Sequence, residues 1–281
     1  MKADEKVTIP KLQAMKVAGE PITSLTAYDY PLAQLCDRAG IEIVLVGDSV
    51  ANNVLGYRST LPVTMEEMLH HTRAVRRGVR RALLVGDMPF LSYNSSDEQA
   101  IANAGRFLKE AGAEAVKLEG GAVMAGRVEA LERAGIAVMG HIGLTPQRVS
   151  QLGGYGVQGR DEPRARQLLA DALALEAAGA FALVLEKIPW QLAQLITRRL
   201  KILTIGIGAG PYCDGQVLVS HDLLGLSELK IKFAKRYLNL AELIEQALVS
   251  YRQEVKAKEF PLLEEHSFSM DQEVIDKLAG Q

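Results

Sequence analysis

Short apolar runs recur along this chain, and five of them end in a single charged or imidazole side chain beside a glycine, proline or other turn-former. Ile43–Val46 leads into Gly47-Asp48-Ser49, Leu83–Val85 into Gly86-Asp87-Met88-Pro89, and Ala115-Val116-Lys117-Leu118 into Glu119-Gly120-Gly121. Ile136–Met139 leads into Gly140-His141, and Phe181–Leu185 into Glu186-Lys187-Ile188-Pro189. Runs that are apolar on both faces predict buried parallel strands, with the polar residue falling where each strand leaves the core. Ile22–Ala27, Ile202–Ile207 and Gln216–Val219 bring the strand candidates to eight.

Helical signals fall between these runs. Thr64-Met65-Glu66-Glu67 and Ser95-Ser96-Asp97-Glu98 have capping-box spacing, a hydroxyl and a carboxylate three residues apart. Glu98–Gly112, Ala122–Gly135 and Pro163–Gly179 are alanine-rich and end in glycine, as helices that feed a following strand do. Strand then helix, eight times over roughly 200 residues, predicts an α/β fold, either a (β/α)8 TIM barrel or a doubly wound open sheet. The strand-end pattern selects the barrel. There all strand C-termini face one mouth, whereas an open sheet spreads them along a line. Leu240, Ile244, Leu248 and Tyr251 stand at helical spacing, and a polar tail runs from Arg252 to Gln281. The expected organisation is one domain over residues 1–281, with a barrel core at about 22–226, a short N-terminal helical segment and a C-terminal helical extension and tail over 227–281.

Composition narrows the partners. A chain of 281 residues with 48% apolar side chains is long enough for one large core. Its net charge of −2 provides no global field for nucleic acid or an anionic membrane, which leaves small molecules or further copies of itself. The arginines of His70–Arg81 fit a solvated or intersubunit helix face better than a nucleic-acid surface. Two cysteines, Cys36 and Cys213, are too few for a disulfide framework, Met1–Lys11 has no apolar signal segment, and no apolar stretch is long enough to span a bilayer. A reducing cytoplasm is the expected compartment.

The candidate chemistry lies on the predicted rim. Asp48, Asp87 and Glu119 brought together would repel one another unless a cation or a shared proton compensates, and an oxygen-rich set without cysteine suits a hard ion such as magnesium. Lys117 shares a strand face with Glu119, and a lysine inside a barrel needs an anion, either a structural partner or a substrate. His141 could serve as a metal ligand, a proton shuttle or a hydrogen-bond donor. Glu186 follows an apolar run, and partial burial of a carboxylate suits a general base. Gly206-Ile207-Gly208-Ala209-Gly210 ends the seventh run, where barrels often hold an anion on backbone amides.

Taken together, Thr26-Ala27-Tyr28-Asp29, Val46–Ser49, Thr60–Thr64, Gly86–Pro89, Val116–Gly120, Gly140–Gln147, Gly154–Gly159 and Leu185-Glu186 closely resemble the 3-methyl-2-oxobutanoate hydroxymethyltransferase (ketopantoate hydroxymethyltransferase) family. Ile205–Gly210, Asp214-Gly215-Gln216 and Glu265–Phe268 extend the likeness over nearly the whole chain. Ala51 departs from an expected glycine, and Pro211-Tyr212-Cys213 replaces a segment that often begins with asparagine. The resemblance implies a cytoplasmic (β/α)8 barrel that transfers a hydroxymethyl group from 5,10-methylenetetrahydrofolate to 3-methyl-2-oxobutanoate. The product is 2-dehydropantoate, formed through a magnesium-stabilised enolate in pantothenate and coenzyme A biosynthesis. It further implies that Asp48, Asp87 and Glu119 surround Mg2+, directly or through water. Asp48, Ser49, Asp87 and Lys117 would contact the oxo acid, Glu186 would accept the proton, and His141 would stand near the substrate. A homo-oligomer, commonly a decamer built as a pentamer of dimers, is implied as well. One rival reading is a lyase on the same scaffold, similar to isocitrate lyase or phosphoenolpyruvate mutase. The isocitrate-cleaving members use a cysteine in a mid-chain loop, and none lies between Cys36 and Cys213 here. The other rival is a non-catalytic oxo-acid or metal-binding barrel.

Overall fold

The computed structural model describes residues 5–227 and 231–280; residues 1–4, 228–230 and 281 of the two expected terminal segments lie outside the described residues. Eight strands form in the predicted order: β1 (Ile22–Thr26), β2 (Ile43–Val46), β3 (Leu83–Asp87), β4 (Ala115–Glu119), β5 (Val138–Gly143), β6 (Ala182–Glu186), β7 (Leu203–Ile207) and β8 (Gly215–Leu218). All neighbours pair in parallel and β8 closes on β1, so the sheet is a closed barrel rather than an open one. Closure leaves no unpaired sheet edge.

The strand ends differ from expectation in one systematic way. β3, β4 and β6 include Asp87, Glu119 and Glu186, and β5 begins two residues later than the apolar run and continues through His141 to Gly143. The ladder persists because polar residues pair across it: Asp87 lies opposite Lys117, Glu119 opposite His141, and Gly143 opposite Glu186. The alternation of strand and helix is also incomplete. β7 and β8 are joined by residues 208–214, too short and too rich in glycine and proline for a crossover helix, and β8 is followed only by the five-residue helix Ser220–Leu224.

Strand alternation positions the site. Side chains two apart share a face, so Leu83 and Val85, Ala115, Met139, and Ala182 and Val184 fill the barrel with Ile43, Leu45, Leu203 and Ile205. Val44, Val46, Leu84, Val116, Leu118 and Leu183 alternate outward into the layer between sheet and helices. Carrying the inward set on by two or four residues reaches Asp87, Lys117, Glu119, His141 and Glu186. The register that buries the core therefore delivers these groups to the mouth. The opposite end is plugged by the helix Ile9–Ala18, whose Leu12 and Met15 join Val7 in the inner cluster. Lys16 fastens the plug with a 2.7 Å hydrogen bond to the Ile202 carbonyl and an ion pair with Asp214 at 2.8 Å.

The capping box at Thr64 forms in both directions and starts the helix Met65–Gly78. The second expected box shifts by one residue. Ser96, not Ser95, caps Asp97–Lys109, and its hydroxyl accepts from the Gln99 amide. In the arginine-rich run, Arg81 binds the Gly40 and Ile41 carbonyls and pairs with Glu42, and Arg76 pairs with Glu114.

Gly143 is the glycine on which the site depends most directly. Its φ is +94°, and a Cβ there would stand 2.2 Å from the Glu186 carbonyl oxygen, which accepts from the Leu144 amide at 2.8 Å. Gly143→Ala should destabilise the fold by about 1–3 kcal/mol and displace the end of β6. Thermal denaturation beside an activity assay checks this; an unchanged midpoint would show that the loop absorbs the methyl group.

The helix Leu240–Ala257 forms where helical spacing predicts it but buries none of its residues. Leu243, Ile244, Leu248, Val249 and Tyr251 are exposed along it, a patch of the kind that marks an interface.

Candidate active site

A pocket of about 230 Å³ opens at the mouth, and all seven residues singled out from sequence line it: Asp48, Ser49, Asp87, Lys117, Glu119, His141 and Glu186. Leu45, Val184, Ile207 and Val217 form its apolar walls, and Tyr155, Ile231 and Phe233 border it as well. A larger cavity of about 410 Å³ beside the β4 and β5 loops is lined by Arg148, Arg164 and Asp171 but by none of the strand-end groups, so the smaller pocket is the candidate site. Gly208 and Gly210 do not line the smaller pocket; side chains of Phe233 and Trp190 stand against them.

The ionisable groups are interlocked. Lys117 Nζ lies 2.9 Å from Asp87 Oδ1, 3.8 Å from Glu119 Oε1 and 3.3 Å from His141 Nδ1. His141 stands between two carboxylates, Nδ1 at 3.3 Å from Glu119 Oε1 and Nε2 at 3.2 Å from Glu186 Oε2. The Asp48 amide donates to Asp87 Oδ2 at 2.9 Å. Asp48, Asp87, Lys117, Glu119 and His141 are all buried.

Burial dominates the electrostatics. It raises Asp48 well above the usual carboxylate range, helped by the charges of Asp87 and Glu119. Asp87 is also raised by burial, with Lys117 opposing. Burial pushes Glu119 the same way, but hydrogen bonding and charge from His141, and the charge of Lys117, leave it below the usual range. Burial opposes the charge on Lys117, yet Asp87, Glu119 and Asp48 hold its ammonium more firmly protonated than usual. Burial and Lys117 both work against protonation of His141, but Glu119 and Glu186 outweigh them and raise it to about 9. With every acid ionised and His141 protonated, Asp48, Asp87, Glu119 and Glu186 outnumber Lys117 and His141 by two negative charges, and Asp222 adds a further acid to the pocket wall.

A hard dication matches that deficit. Asp87 Oδ1 and Glu119 Oε1 are buried with only the ion pairs to Lys117 and His141 as partners, and every candidate metal ligand near them is oxygen apart from the His141 ring. Among the described residues no three His, Cys, Asp or Glu side chains form a complete metal cage. Magnesium seldom requires one, because it keeps water and substrate oxygens in its shell and is commonly held by one or two carboxylates. The residues present therefore fit a magnesium ion.

Sequence reasoning missed three contributors. Tyr28 is buried and shares a 2.8 Å hydrogen bond with Ser49 Oγ. Gln147 and Tyr93 lie against the acids, with the Gln147 side-chain amide donating to Asp48 and the Tyr93 hydroxyl accepting from the Glu119 amide. All three are uncharged, and only Tyr28 and Gln147 fall within the runs that carry the family resemblance.

The model of the ketopantoate hydroxymethyltransferase family matches residues 6–262, which take in all seven site residues. The chain belongs to the ketopantoate hydroxymethyltransferase family. A 3-methyl-2-oxobutanoate hydroxymethyltransferase of Carboxydothermus hydrogenoformans is 56% identical, the alignment covering 98% of this chain and 99% of that one. One from Moorella thermoacetica is 59% identical over 94% and 98%. This member of the ketopantoate hydroxymethyltransferase family is thus a hydroxymethyltransferase. Among solved structures, a phosphoenolpyruvate phosphomutase from Streptomyces platensis subsp. rosaceus superposes with a TM-score of 0.61 at 17% identity, covering 97% of this chain and 95% of that one. A phosphonopyruvate hydrolase reaches 0.62 at 13%, covering 98% and 95%. At such identities these share the fold alone, and the lyase reading loses its support. Among the described residues no helix is long and apolar enough to cross a membrane.

Proposed function

We propose that the pocket transfers the one-carbon unit of 5,10-methylenetetrahydrofolate to C3 of 3-methyl-2-oxobutanoate, giving 2-dehydropantoate for pantothenate and coenzyme A biosynthesis. The observation that carries the proposal is the set of groups Asp48, Asp87, Lys117, Glu119, His141 and Glu186 around one pocket, in which carboxylates outnumber cations. Asp48, Asp87 and Glu119 would hold Mg2+, directly or through water. When bound, the ion supplies Lewis-acid polarisation of the oxygens of the oxo acid.

The remaining chemistry belongs to the chain. Lys117 offers a permanent positive charge to the substrate's anionic oxygens, and Asp48, Ser49 and Asp87 complete its binding site. Tyr28 fixes the Ser49 hydroxyl. Leu45, Val184, Ile207 and Val217 provide an apolar surface for the branched alkyl end. Glu186 removes the C3 proton, and the electron pair left on carbon forms the new bond to the methylene carbon of the donor, whose N10–carbon bond has opened with that nitrogen taking up a proton. Water then displaces N5, leaving its oxygen as the product hydroxyl and its proton on the departing tetrahydrofolate. His141, 3.2 Å from Glu186, holds that carboxylate in place.

The same reading takes residues 1–281 as one barrel domain of the cytoplasm, without a nucleic-acid or membrane partner, assembled as a homo-oligomer. A decamer built as a pentamer of dimers fits the family resemblance, and the exposed apolar residues of Leu240–Ala257 suit a subunit contact. Loss of the C3 proton of 3-methyl-2-oxobutanoate in heavy water, followed by NMR with magnesium and no folate, tests the chemistry. Metal-dependent exchange is expected. A bound oxo acid that does not exchange would overturn the assignment of the enolising step to these residues alone.

A further inference from the structure

The three acids are not held alike by chance of packing: each has one oxygen tied back to the protein. Asp87 Oδ2 accepts from the Asp48 amide, whereas Asp48 Oδ2 and Glu119 Oε2 are both held by Gln147, the first by its side-chain Nε2 and the second by its backbone amide, each at 3.0 Å. The opposite oxygens Asp87 Oδ1 and Glu119 Oε1 face the cationic groups of the pocket, Lys117 at 2.9 Å and His141 at 3.3 Å. A single residue from the loop after β5 thus reaches the acid that follows β2 and the acid that ends β4.

The Gln147 amide has only one favourable orientation. Its Oε1 accepts from the Tyr93 hydroxyl at 2.7 Å, and its Nε2 donates to the Met88 carbonyl at 3.0 Å as well as to Asp48. Turned over, Oε1 would face a carboxylate and a carbonyl, both acceptors. Tyr93 is held in turn, its hydroxyl accepting from the Glu119 amide at 3.1 Å. Both side chains are buried, and both border a cavity of about 310 Å³ beside Leu61, Phe90 and Val123.

We infer that Gln147, fixed by Tyr93, is a positioning residue that selects which oxygen of Asp48 and of Glu119 is presented to a divalent cation. The inference rests on the magnesium-dependent reading of the site. Neutral partners that orient ligands in this way typically account for about 10–100-fold in metal affinity when removed. Methionine resembles glutamine in length and volume but makes none of the three side-chain bonds while keeping the backbone amide that holds Glu119, so Gln147→Met isolates the hold on Asp48.

The test is Mn2+ binding to the full-length protein, read by the electron paramagnetic resonance of free and bound ion, with 3-methyl-2-oxobutanoate present and folate absent. Gln147→Met should bind about 10–100-fold more weakly than wild type, with an altered bound-ion spectrum, and with a lowered thermal midpoint from the buried groups it leaves unpaired. Tyr93→Phe, which lacks one oxygen, should weaken binding in the same direction and carries the test if Gln147→Met fails to fold. Wild-type affinity and spectrum in a folded variant would overturn the positioning role alone. No Mn2+ binding by the wild type would overturn the metal reading and this inference together.

Discussion

Asp87→Ala should remove the magnesium dependence of oxo-acid binding and leave a less stable protein. The Asp87 carboxylate is the nearest counter-charge of Lys117, at 2.9 Å, and both groups are buried. Its other oxygen caps the Asp48 amide. Removing one partner of a buried ion pair typically destabilises by about 3–5 kcal/mol, because the remaining charge stays desolvated. Relief of repulsion with Asp48 and Glu119 offsets part of that, so the lower end of the range is expected. Glu119 stands 3.8 Å from Lys117 and is a weaker substitute. Isothermal titration of 3-methyl-2-oxobutanoate with and without Mg2+ reads the binding, and chemical denaturation reads the stability. Asp87→Asn separates the two effects, since it keeps an acceptor for the Asp48 amide while removing the charge. If the gain in affinity on adding magnesium is the same in the Ala variant as in wild type, Asp87 does not hold the ion.

Glu186→Gln should reduce turnover by about 10²–10⁴-fold with little change in oxo-acid affinity. Glu186 stands at the end of β6 on the inward face, its Oε2 3.2 Å from His141 Nε2. Glutamine preserves the shape and offers His141 a carbonyl oxygen, but an amide cannot accept the C3 proton. Binding should therefore persist while exchange in heavy water and product formation fall together. A Gln variant that exchanges the proton at the wild-type rate would remove Glu186 as the base. His141→Ala offers a comparison. It leaves Glu186 able to accept a proton but loosens its orientation, so a smaller loss is expected.

Much of this site is legible because strand geometry is short-range. Residues two apart share a face, so once Leu83, Val85, Ala115 and Ala182 are read as core, the inward placement of Asp87, Lys117, Glu119 and Glu186 follows. The ion pairs are legible less directly. Asp87 with Lys117 and Glu119 with His141 are set by register between strands 22 to 30 residues apart, a quantity that apolar patterning constrains but does not print. The missing helix between β7 and β8 is not legible because an apolar run followed by glycine looks alike whether or not a helix comes next. The cap falls at Ser96 rather than Ser95 because two adjacent hydroxyls satisfy the same local spacing.

By itself, then, the amino-acid order determined eight buried strands, the inward parity of their terminal polar residues, and a helix at Leu240–Ala257, since each depends on periods of two or 3.6 residues within one segment. Only the tertiary structure decided that the sheet closes and that Gln147 meets Asp48 from 99 positions away while Tyr93 meets Gln147 from 54. Those contacts join neutral groups from separate loops. Such groups carry no periodic signature, and their hydrogen bonds exist only after closure of the barrel has brought the strand ends to a common mouth.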